Sequence, residues 1–577
     1  MRRSLPLLPL ALAPVVLLRG SLAPGRIPGQ PFGEGWGHLF AMGQLGRWLC
    51  GEARLGQADL LAYPDGMRFW PVDPLTTLLA SSLDIIAGRS AHGGAAALSV
   101  TVLLLVTLTG VGAWLLARSL GAKPWAASAA ALAIQLHPFL LRSASDTIVE
   151  VLALGPLLIL GALAVRLWEN VTPRRLLASA LAMLATALCS PYYAIYAMIL
   201  WAALLPWAMW RRKTPRWLGL GGVLLVAGAL AAAPLLWAES GPGGRMDERF
   251  GGGGFQLSPS GQVLLSERGA IEPAPRSVRG PGPGPTSVRA AGHSGEQGTP
   301  PAWMWLARRF PGGLCCMVAL LMGLAVRRSR PLAVLALVMF ALGAGPPLIR
   351  HAMTPGPSDV SSPLQELLQL LPMTDRIGNA QRLVLLYALP ALVAGGVAAA
   401  SRWPLAVLLG AVAIAESWMI MPALRLPHTE ISVDTALLEQ IDGPVVTFPM
   451  GDPPTWNPQA TPKRALYLAT LHGGATAGDY GRGRLPADLG LVATLSAWAR
   501  APLAPQAAKA AAQGELPAPD PQGFAWLLVL HESLDSAQIQ SLHQRAEQRW
   551  GAPAMRSDWG AVYPLGATDQ PDAGDAL

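Results

Sequence analysis

The stretch PFGEGWGHLFAMGQLGRWLCGEARLGQADLLAYPDGMRFWPVDP, residues 31–74, is the first long polar segment after an apolar N-terminus. Most of the sequence that follows it consists of apolar runs. A polar segment rich in Gly, Trp and acids is excluded from lipid unless protein or water surrounds it. We therefore expect a loop at the membrane surface, and we expect any chemistry of the protein to lie there. Its ionisable side chains include Glu34, His38, Asp59, Asp65 and Asp73.

The composition is that of a polytopic membrane protein. Of the 577 residues, 52% are apolar and only 14% are charged, whereas soluble domains average about half apolar and a quarter charged. The formal net charge is +8, but Lys and Arg lie mostly between apolar runs, which indicates membrane topology and no nucleic-acid partner. The four cysteines lack the spacing of a zinc site or of a disulfide framework.

The apolar runs predict eleven membrane spans. The first follows the basic residues Arg2 and Arg3, and no clear A-x-A site comes after it, so a signal anchor is favoured over a cleavable signal peptide. The remaining runs have the length and composition of spans, although several are short or contain Pro. They lie at about 95–117, 124–141, 147–167, 176–190, 193–210, 217–238, 312–326, 331–349, 382–400 and 404–422.

The charges between these runs predict the orientation of the chain. Every second connection is basic and almost free of acid, as at 211–216 and 327–330. The intervening connections carry the acids, among them Asp146. By the positive-inside rule the basic connections are cytoplasmic. The first long loop and the C-terminus are therefore expected outside.

The fold class expected is mainly α: a membrane helical bundle of about 11 transmembrane helices with a small C-terminal α/β soluble domain. The bundle is expected over residues 1–424 and the soluble domain over 425–577. Within the bundle, residues 20–94 form the first outer loop. Residues 239–303 are too rich in Gly, Pro and Ser to build a core and are expected to form a flexible outer loop.

Short patterns support an α/β arrangement of the C-terminal region. The runs 444–449, 524–530 and 561–565 are strand-length and bounded by turn residues. Ser536–Trp550 has the pattern of an amphipathic helix, and the Ala-rich stretch 491–513 is also expected to be helical.

Glu34 is the leading candidate for chemistry. It lies between Gly33 and Gly35, which permit close backbone approach. We interpret it as a general base or metal ligand at a membrane-facing cavity; the alternative is a solvated loop acid. His38 follows four residues later and can share a helical face with it, which is a weak metal signal by itself. Asp65 lies in a Tyr-Pro-Asp-Gly turn, so a structural role competes with a role in substrate binding.

The order of these elements resembles the GT-C superfamily, integral-membrane glycosyltransferases that take sugar from polyprenyl-phosphate donors. The resemblance consists of an anchor helix, an acid soon after it, a YP-D-G turn in a long first loop, and alternating spans. Later pieces are similar to a bacterial branch with a C-terminal soluble domain. They are HPFLL (137–141), CSPYYAIY (189–196), LPMTDRIGNAQRL (371–383), VVTFPMGD (445–452) and LHGGATAGDYGRG (471–483). The superfamily usually carries Asp where this chain has Glu34.

The resemblance implies a bacterial inner-membrane enzyme with a periplasmic active site and a periplasmic C-terminal domain. Glu34 would be the catalytic base, and a glycan, lipid or protein would be the acceptor. A guanidinium at Arg376 or Arg382 suits a lipid-linked phosphate, although each is also placed to anchor a helix at the interface. The resemblance identifies no cofactor with certainty, and a divalent cation is possible. The other residues assigned to substrate binding are His38, Asp65, Tyr192 and Tyr193, the two tyrosines having an interfacial belt role as the alternative.

A second hypothesis is a non-enzymatic membrane protein, either a lipid or polysaccharide transporter or an assembly factor with a degenerate GT-C fold. Ion-coupled transport needs ionisable residues at mid-membrane. The predicted spans are nearly free of them, with Glu416 as the main exception. The enzyme is therefore the leading hypothesis.

Overall fold

The structure, a computed structural model, describes most of the two ends of the chain and parts of its middle. The described residues are 5–30, 34–61, 66–198, 201, 313–343, 363–364, 384–400, 402–421, 424–448, 460–476, 478–479, 483–484, 489–499, 523–531 and 534–565, with short pieces between 221 and 238. The expected flexible loop 239–303 lies outside these residues, as do Asp65, Arg376 and Arg382.

The first part of the chain folds into a helical bundle with small strands in its outer loop. Its helices are α1 (Leu8–Leu18), α2 (Gly35–Leu49), α3 (Pro74–Ile86), α4 (Ala91–Ser119), α5 (Pro124–Gln135), α6 (Pro138–Ser145), α7 (Val149–Leu152), α8 (Gly155–Glu169) and α9 (Pro173–Cys189). The strands are β1 (Arg26–Pro28), β2 (Gln57–Ala58) and β3 (Met67–Arg68). A further helical stretch covers 191–198.

Four more helices complete the described part of the bundle. They are α10 (Gly313–Ala325), α11 (Arg330–Leu342), α12 (Val384–Ala399) and α13 (Trp403–Ile420). Helix α12 is buried along most of its length and packs between α10, α11 and α5. Small residues permit this close approach: a Cβ on Gly395 would lie 2.7 Å from the Cβ of Ala319.

Two of the described helical segments are long and apolar enough to cross a membrane, Ala91–Ser119 and Val149–Glu169. The pair α5 and α6, bent by 44°, forms a third candidate span. Other apolar helices in the described residues are shorter, including α1 and α10 to α13. The expectation of a mainly helical structure with apolar helices of membrane-spanning length is therefore confirmed. The count of eleven spans stays a prediction, since the runs at 193–210 and 217–238 fall largely outside the described residues.

A proline inside α1 explains one long-range contact of the bundle. Pro14 has no N–H to give to the carbonyl of Leu10, which would be its partner in a regular helix. Instead, Gln135 Nε2 donates to Leu10 O at 3.0 Å and to Val106 O at 2.9 Å. Gln135 ends α5 where the chain bends, so one amide group joins α1, α4 and α5.

The C-terminal region contains a small mixed sheet in the order β5-β8-β10-β9. Strands β5 (Val445–Phe448) and β8 (Trp526–Leu530) are parallel, and β10 (Gly560–Pro564) is antiparallel to β8 and β9 (Met555–Arg556). The three strands expected from the sequence are thus confirmed.

Helices of the C-terminal region cover this sheet. They are α14 (Thr435–Leu438), α15 (Ala460–His472), α16 (Leu489–Trp498) and α17 (Ser536–Trp550). The expected amphipathic helix is confirmed as α17, which begins with a capping box formed by Asp535 and Gln538 and is followed by Gly551 at φ 85°. Of the Ala-rich stretch 491–513, the described part is the helix α16.

The C-terminal region joins the first outer loop at two places. Strand β4 (His428–Glu430) pairs antiparallel with β1, with Ile27 opposite Thr429. Helix α15 packs along α2, which begins directly after Glu34. The turn strands β6 (Gly478–Asp479) and β7 (Gly483–Arg484) follow α15. The first loop is therefore covered by the C-terminal region.

Candidate functional site

Glu34 lies at the start of α2 and is bonded through its backbone to a second outer turn. Its N–H donates to the carbonyl of Asp146 at 2.7 Å, and its own carbonyl accepts from the N–H of His38 at 3.1 Å. Asp146 ends α6. The two acids come from loops far apart in sequence, and one direct hydrogen bond places their backbones side by side.

Three further hydrogen bonds fasten the same two segments. Gln30 N donates to Ser145 O at 2.8 Å, and Gln30 Nε2 donates to Ser145 Oγ at 3.0 Å. Thr147 Oγ1 donates to the carbonyl of Pro28 at 2.6 Å. Backbone and side-chain hydrogen bonds therefore hold the segment before Glu34 against the turn that contains Asp146.

The turn after Asp146 is strained. Thr147 has φ 55°, which is unfavourable for a β-branched residue. The neighbouring Gly29 has φ 101°, and a Cβ there would lie 1.9 Å from Thr147 Oγ1, so only glycine fits. Strained backbone of this kind costs about 1–3 kcal/mol and persists where surrounding contacts impose it, often at functional sites.

The electrostatics of Asp146 reflect its neighbours. Burial raises the pKa of the Asp146 carboxyl, the guanidinium of Arg142 opposes that rise, and the charge of Glu34 adds to it. Arg142 Nε lies 3.6 Å from Asp146 Oδ2, on the same face of α6. A carboxyl group with a raised pKa next to a second carboxyl group provides a proton-holding group and a candidate base in one place.

A second polar group lies one helical turn inward. The side chain of His38 is 9% exposed, with Nδ1 3.8 Å from Asp73 Oδ2 and Nε2 3.7 Å from Glu150 Oε2. Asp73 accepts from the hydroxyls of Thr76 and Thr77, and burial raises its pKa. We call His38, Asp73 and Glu150 the inner cluster.

The C-terminal region contributes an aromatic and cationic wall beside Glu34. The rings of Trp36 and Tyr467 have centroids 5.8 Å apart. The guanidinium carbon of Arg464 lies 5.1 Å from the ring centroid of Trp36 and 6.0 Å from that of Trp559. Burial lowers the pKa of Arg464 to about 10. A cation held between two indoles ties α15 to the first turn of α2.

The structure brings some of the predicted site residues together. Glu34 and His38 lie on one face of α2, as their spacing predicts. Tyr193 is buried and donates its hydroxyl to the carbonyl of Val151, while Tyr192 is half-buried. Their roles in substrate binding stay predictions. Asp65, Arg376 and Arg382 lie outside the described residues.

Sequence reasoning missed most of the neighbours of Glu34. The sequence identifies Asp146 only as an acid in a connection between apolar runs, and it gives no sign of the contact with the Glu34 backbone. Asp73 was noted as a loop acid only, and Glu150 was not singled out. The available signal is the presence of two acids, Asp146 and Glu150, in the short segment that follows HPFLL.

Among the residues that the structure describes, no group of three His, Cys, Asp or Glu side chains has the geometry of a metal site. Two carboxylates can nevertheless hold a hard cation, because Mg²⁺ is often bound through one or two carboxylates together with substrate phosphates. Glu34 and Asp146 fit such a cation, since a positive charge would relieve the repulsion that contributes to the raised pKa of Asp146.

The comparisons with known proteins identify the architecture. A family model described as a domain of unknown function (DUF6311) matches residues 51–258, less than half of the chain. No curated protein matches. Among solved structures, arabinofuranosyltransferase AftD from Mycobacteria is 16% identical with a TM-score of 0.54, covering 97% of this chain and 40% of AftD.

A second similar structure is the archaeal oligosaccharyltransferase AglB from Archaeoglobus fulgidus, in complex with an inhibitory peptide and a dolichol-phosphate. It is 12% identical with a TM-score of 0.46, covering 96% of this chain and 71% of AglB. The match to AftD covers 40% of AftD, so this chain spans less than half of its length. At 16% identity the likeness to AftD shows the fold alone: over most of its length, this chain is similar in architecture to that arabinofuranosyltransferase.

Proposed function

We propose that this protein is a membrane glycosyltransferase that moves a sugar from a polyprenyl-phosphate donor to an acceptor on the periplasmic side. The observation that carries the proposal is the direct hydrogen bond from the N–H of Glu34 to the carbonyl of Asp146, which brings two acids from separate outer loops together. The similarity of the fold to AftD supports the class of reaction. The orientation follows from the alternation of basic and acidic connections.

In the proposed reaction Glu34 removes the proton from the acceptor hydroxyl. The acceptor oxygen then forms a bond to the anomeric carbon, and the bond from that carbon to the donor phosphate oxygen breaks. The electron pair leaves with the polyprenyl phosphate. A positioned base of this kind contributes about 10²–10⁴-fold to the rate. Arg376 or Arg382 would stabilise the charge on the leaving phosphate.

Asp146 has a different role in this proposal. Its raised pKa suits a carboxyl that shares a proton or hydrogen-bonds to the acceptor while Glu34 is ionised. When a divalent cation is bound, it would polarise the donor phosphate, and Glu34 and Asp146 are the side chains that would hold it.

The C-terminal region would bind or orient the acceptor beside Glu34. The side chains of Trp36, Arg464 and Tyr467 lie against each other where α15 packs along α2. Aromatic rings and a buried cation provide surfaces that sugars and phosphates bind. The first helical turn after Glu34 is therefore the expected place for the acceptor.

The test is the incubation of the purified protein with a panel of polyprenyl-phosphate sugars, followed by detection of transfer or hydrolysis. Glu34→Gln keeps the size of the side chain but loses its basicity, so turnover should fall about 10²–10⁴-fold with normal membrane insertion. Glu34→Asp should keep or improve activity, because Asp is usual in the similar superfamily. Asp65→Asn should instead lower the yield of folded protein. Wild-type turnover in Glu34→Gln would exclude Glu34 as the base.

A further inference from the structure

His38 connects α2 to the turn that carries Asp146. Its Nε2 lies 3.3 Å from the N–H of Val149, the first residue of α7, and accepts a hydrogen bond from it. This contact joins residues on separate elements, and both are buried. It is a side-chain connection between the helix that begins after Glu34 and the segment just beyond the strained Thr147.

The hydrogen bond fixes the protonation of the imidazole. Because Nε2 accepts from Val149 N–H, the proton of the neutral ring is on Nδ1. Nδ1 faces Asp73 Oδ2 at 3.8 Å. Asp73 is itself held by the hydroxyls of Thr76 and Thr77 at the start of α3. A carboxylate behind an imidazole selects its tautomer and its orientation.

The inner cluster therefore forms a chain of contacts from α3 through α2 to α7. This chain of contacts ends at the backbone N–H of Val149, three residues after Asp146. The turn between them contains Thr147 in a left-handed conformation, which the surrounding contacts must maintain. Helix α7 has only four residues and supplies little rigidity of its own.

We propose that His38 is a positioning residue: through the Val149 amide it holds the Asp146 turn at a fixed distance from Glu34. The inference deepens the proposed function and rests on it for its consequence in catalysis. The burial of His38 behind Glu34 favours this role over direct substrate contact. Displacement of a catalytic group by about 1 Å can cost about 10²-fold in rate, so a loosened turn should affect turnover more than binding.

Two substitutions of His38 distinguish the contributions of its two ring nitrogens. In His38→Gln the amide oxygen reaches the place of Nε2 and can still accept from Val149 N–H. In His38→Asn the shorter side chain reaches only the place of Nδ1, so the Val149 amide loses its partner. The two variants have similar polarity, which makes each the matched control of the other.

The first measurement is hydrogen–deuterium exchange of peptides covering residues 143–152 in detergent or nanodiscs, which requires no substrate. We expect these peptides to exchange at least about tenfold faster in His38→Asn than in the wild type, because the turn opens more easily when the Val149 N–H has lost its acceptor. In His38→Gln, which keeps an acceptor, exchange should stay close to that of the wild type. Equal exchange in all three proteins would overturn the proposal.

The second measurement is turnover with whichever polyprenyl-phosphate sugar supports it. His38→Asn should lower kcat about 10–100-fold with KM changed less than about threefold, and His38→Gln should recover most of that loss. A rise in KM alone in both variants would overturn the positioning role in favour of substrate contact. If no donor supports turnover in the wild type, the proposed function fails, and the exchange measurement still decides whether His38 anchors the turn.

A second variant covers the case in which His38→Asn does not fold. Asp73→Asn leaves the volume of the side chain unchanged but removes the charge that selects the Nδ1–H tautomer. The exchange rate of residues 143–152 should then lie between the rate of the wild type and the rate expected for a fully opened turn. Exchange at the wild-type rate in folded Asp73→Asn protein would show that the turn does not depend on the contacts of the inner cluster and would overturn the proposal.

Discussion

Two carboxylates in the helical part of this protein contrast with each other. Glu416 lies in α13, within the apolar bundle, and both of its oxygens accept backbone N–H groups at the start of α10, from Leu314 at 2.5 Å and Cys315 at 2.9 Å. Glu34 lies in the outer loop, where its backbone is bonded to Asp146 and its charge opposes the ionisation of the Asp146 carboxyl. The first carboxylate completes a helix terminus; the second is paired with another acid.

The difference lies in what the carboxylate is bonded to. The N-terminus of a helix presents free N–H groups and a positive dipole end, so an acid there stabilises the helix. Gly313, at φ 81°, leaves space for Glu416: a Cβ there would lie 2.0 Å from Glu416 Oε1. An ionisable residue inside a membrane bundle is often functional, but the structure gives Glu416 a structural partner. The main sequence argument for an ion-coupled transporter is thereby weakened.

The largest expected effect is on turnover. Asp146→Asn should lower turnover at least about tenfold, because it removes one member of the acid pair. Glu416→Gln, in which the side chain still lies against the start of α10, should keep turnover within about twofold per folded molecule. Activity is compared in membranes adjusted to equal amounts of folded protein. A loss of turnover in Glu416→Gln larger than in Asp146→Asn would reverse the comparison.

Stability should change in opposite directions in the same two variants. In Glu416→Gln one backbone N–H loses its acceptor and faces an amide NH₂, which should destabilise the fold by about 1–3 kcal/mol. Asp146 has a raised pKa in the folded protein, so its charged form is disfavoured there and stability falls as the pH rises through that pKa. Asp146→Asn imitates the protonated form and should be neutral or slightly stabilising at pH 7. Thermal unfolding in detergent measures both, and a lower Tm for Asp146→Asn than for Glu416→Gln would contradict the assignment.

The C-terminal region offers a third kind of ionisable group, a pair of histidines whose charged form is disfavoured chiefly by burial. His543 Nε2 lies 2.8 Å from His531 Nε2, and His543 Nδ1 accepts from the hydroxyl of Tyr563. On the other side, His531 Nδ1 lies 3.1 Å from the carbonyl of Asp558. Both histidines have lowered pKa values, chiefly through burial, and that of His543 falls to about 4 with Arg556 adding to the effect.

The stability of this region should therefore decrease as the pH falls from about 6.5 towards 4. Below about pH 6.5 the unfolded chain binds protons that the folded histidines do not. Exchange of peptides covering 523–531 and 534–565 should rise over that interval. His543→Phe should reduce this pH dependence of exchange. Glu547→Gln, which changes a residue that pairs with Arg556 and leaves both histidines in place, is the control. A flat profile in the wild type would contradict the lowered pKa values.

The smallest expected effect comes from an acid at the seam between the first loop and the C-terminal region. Glu430 pairs with Arg26 at 2.5 Å, but its side chain is 68% exposed. Exposed ion pairs contribute about 0–1 kcal/mol. Glu430→Gln should shift Tm by no more than about 2 °C and leave turnover unchanged. A large loss in either measurement would show that the strand pair β1–β4 depends on this contact.

Much of the architecture is encoded locally and was predictable. The apolar runs identified described helices of the bundle such as α4 and α8, whereas α2 and α3 lie within the expected first loop 20–94 and were not predicted. The orientation expected from the alternation of charges stays a prediction. The strand-length runs at 444–449, 524–530 and 561–565 correspond to β5, β8 and β10. Glu34 and His38 were placed on one helical face by their spacing alone. Each of these features depends on residues within one segment, where periodicity and composition are informative.

The partners of Glu34 depended on the packing of segments distant in sequence. Nothing near residue 34 indicates that Asp146 will lie beside it, because that contact follows from how β1 and the loop before α2 lie against the end of α6. The structural role of Glu416 likewise required the start of α10 to lie against α13. The sequence by itself indicated the apolar helical class and the polar first segment, and it singled out Glu34 as the candidate acid. Only the tertiary structure decided which acids share a site and which one caps a helix, since burial and hydrogen bonds to distant backbone set the chemistry of a carboxylate.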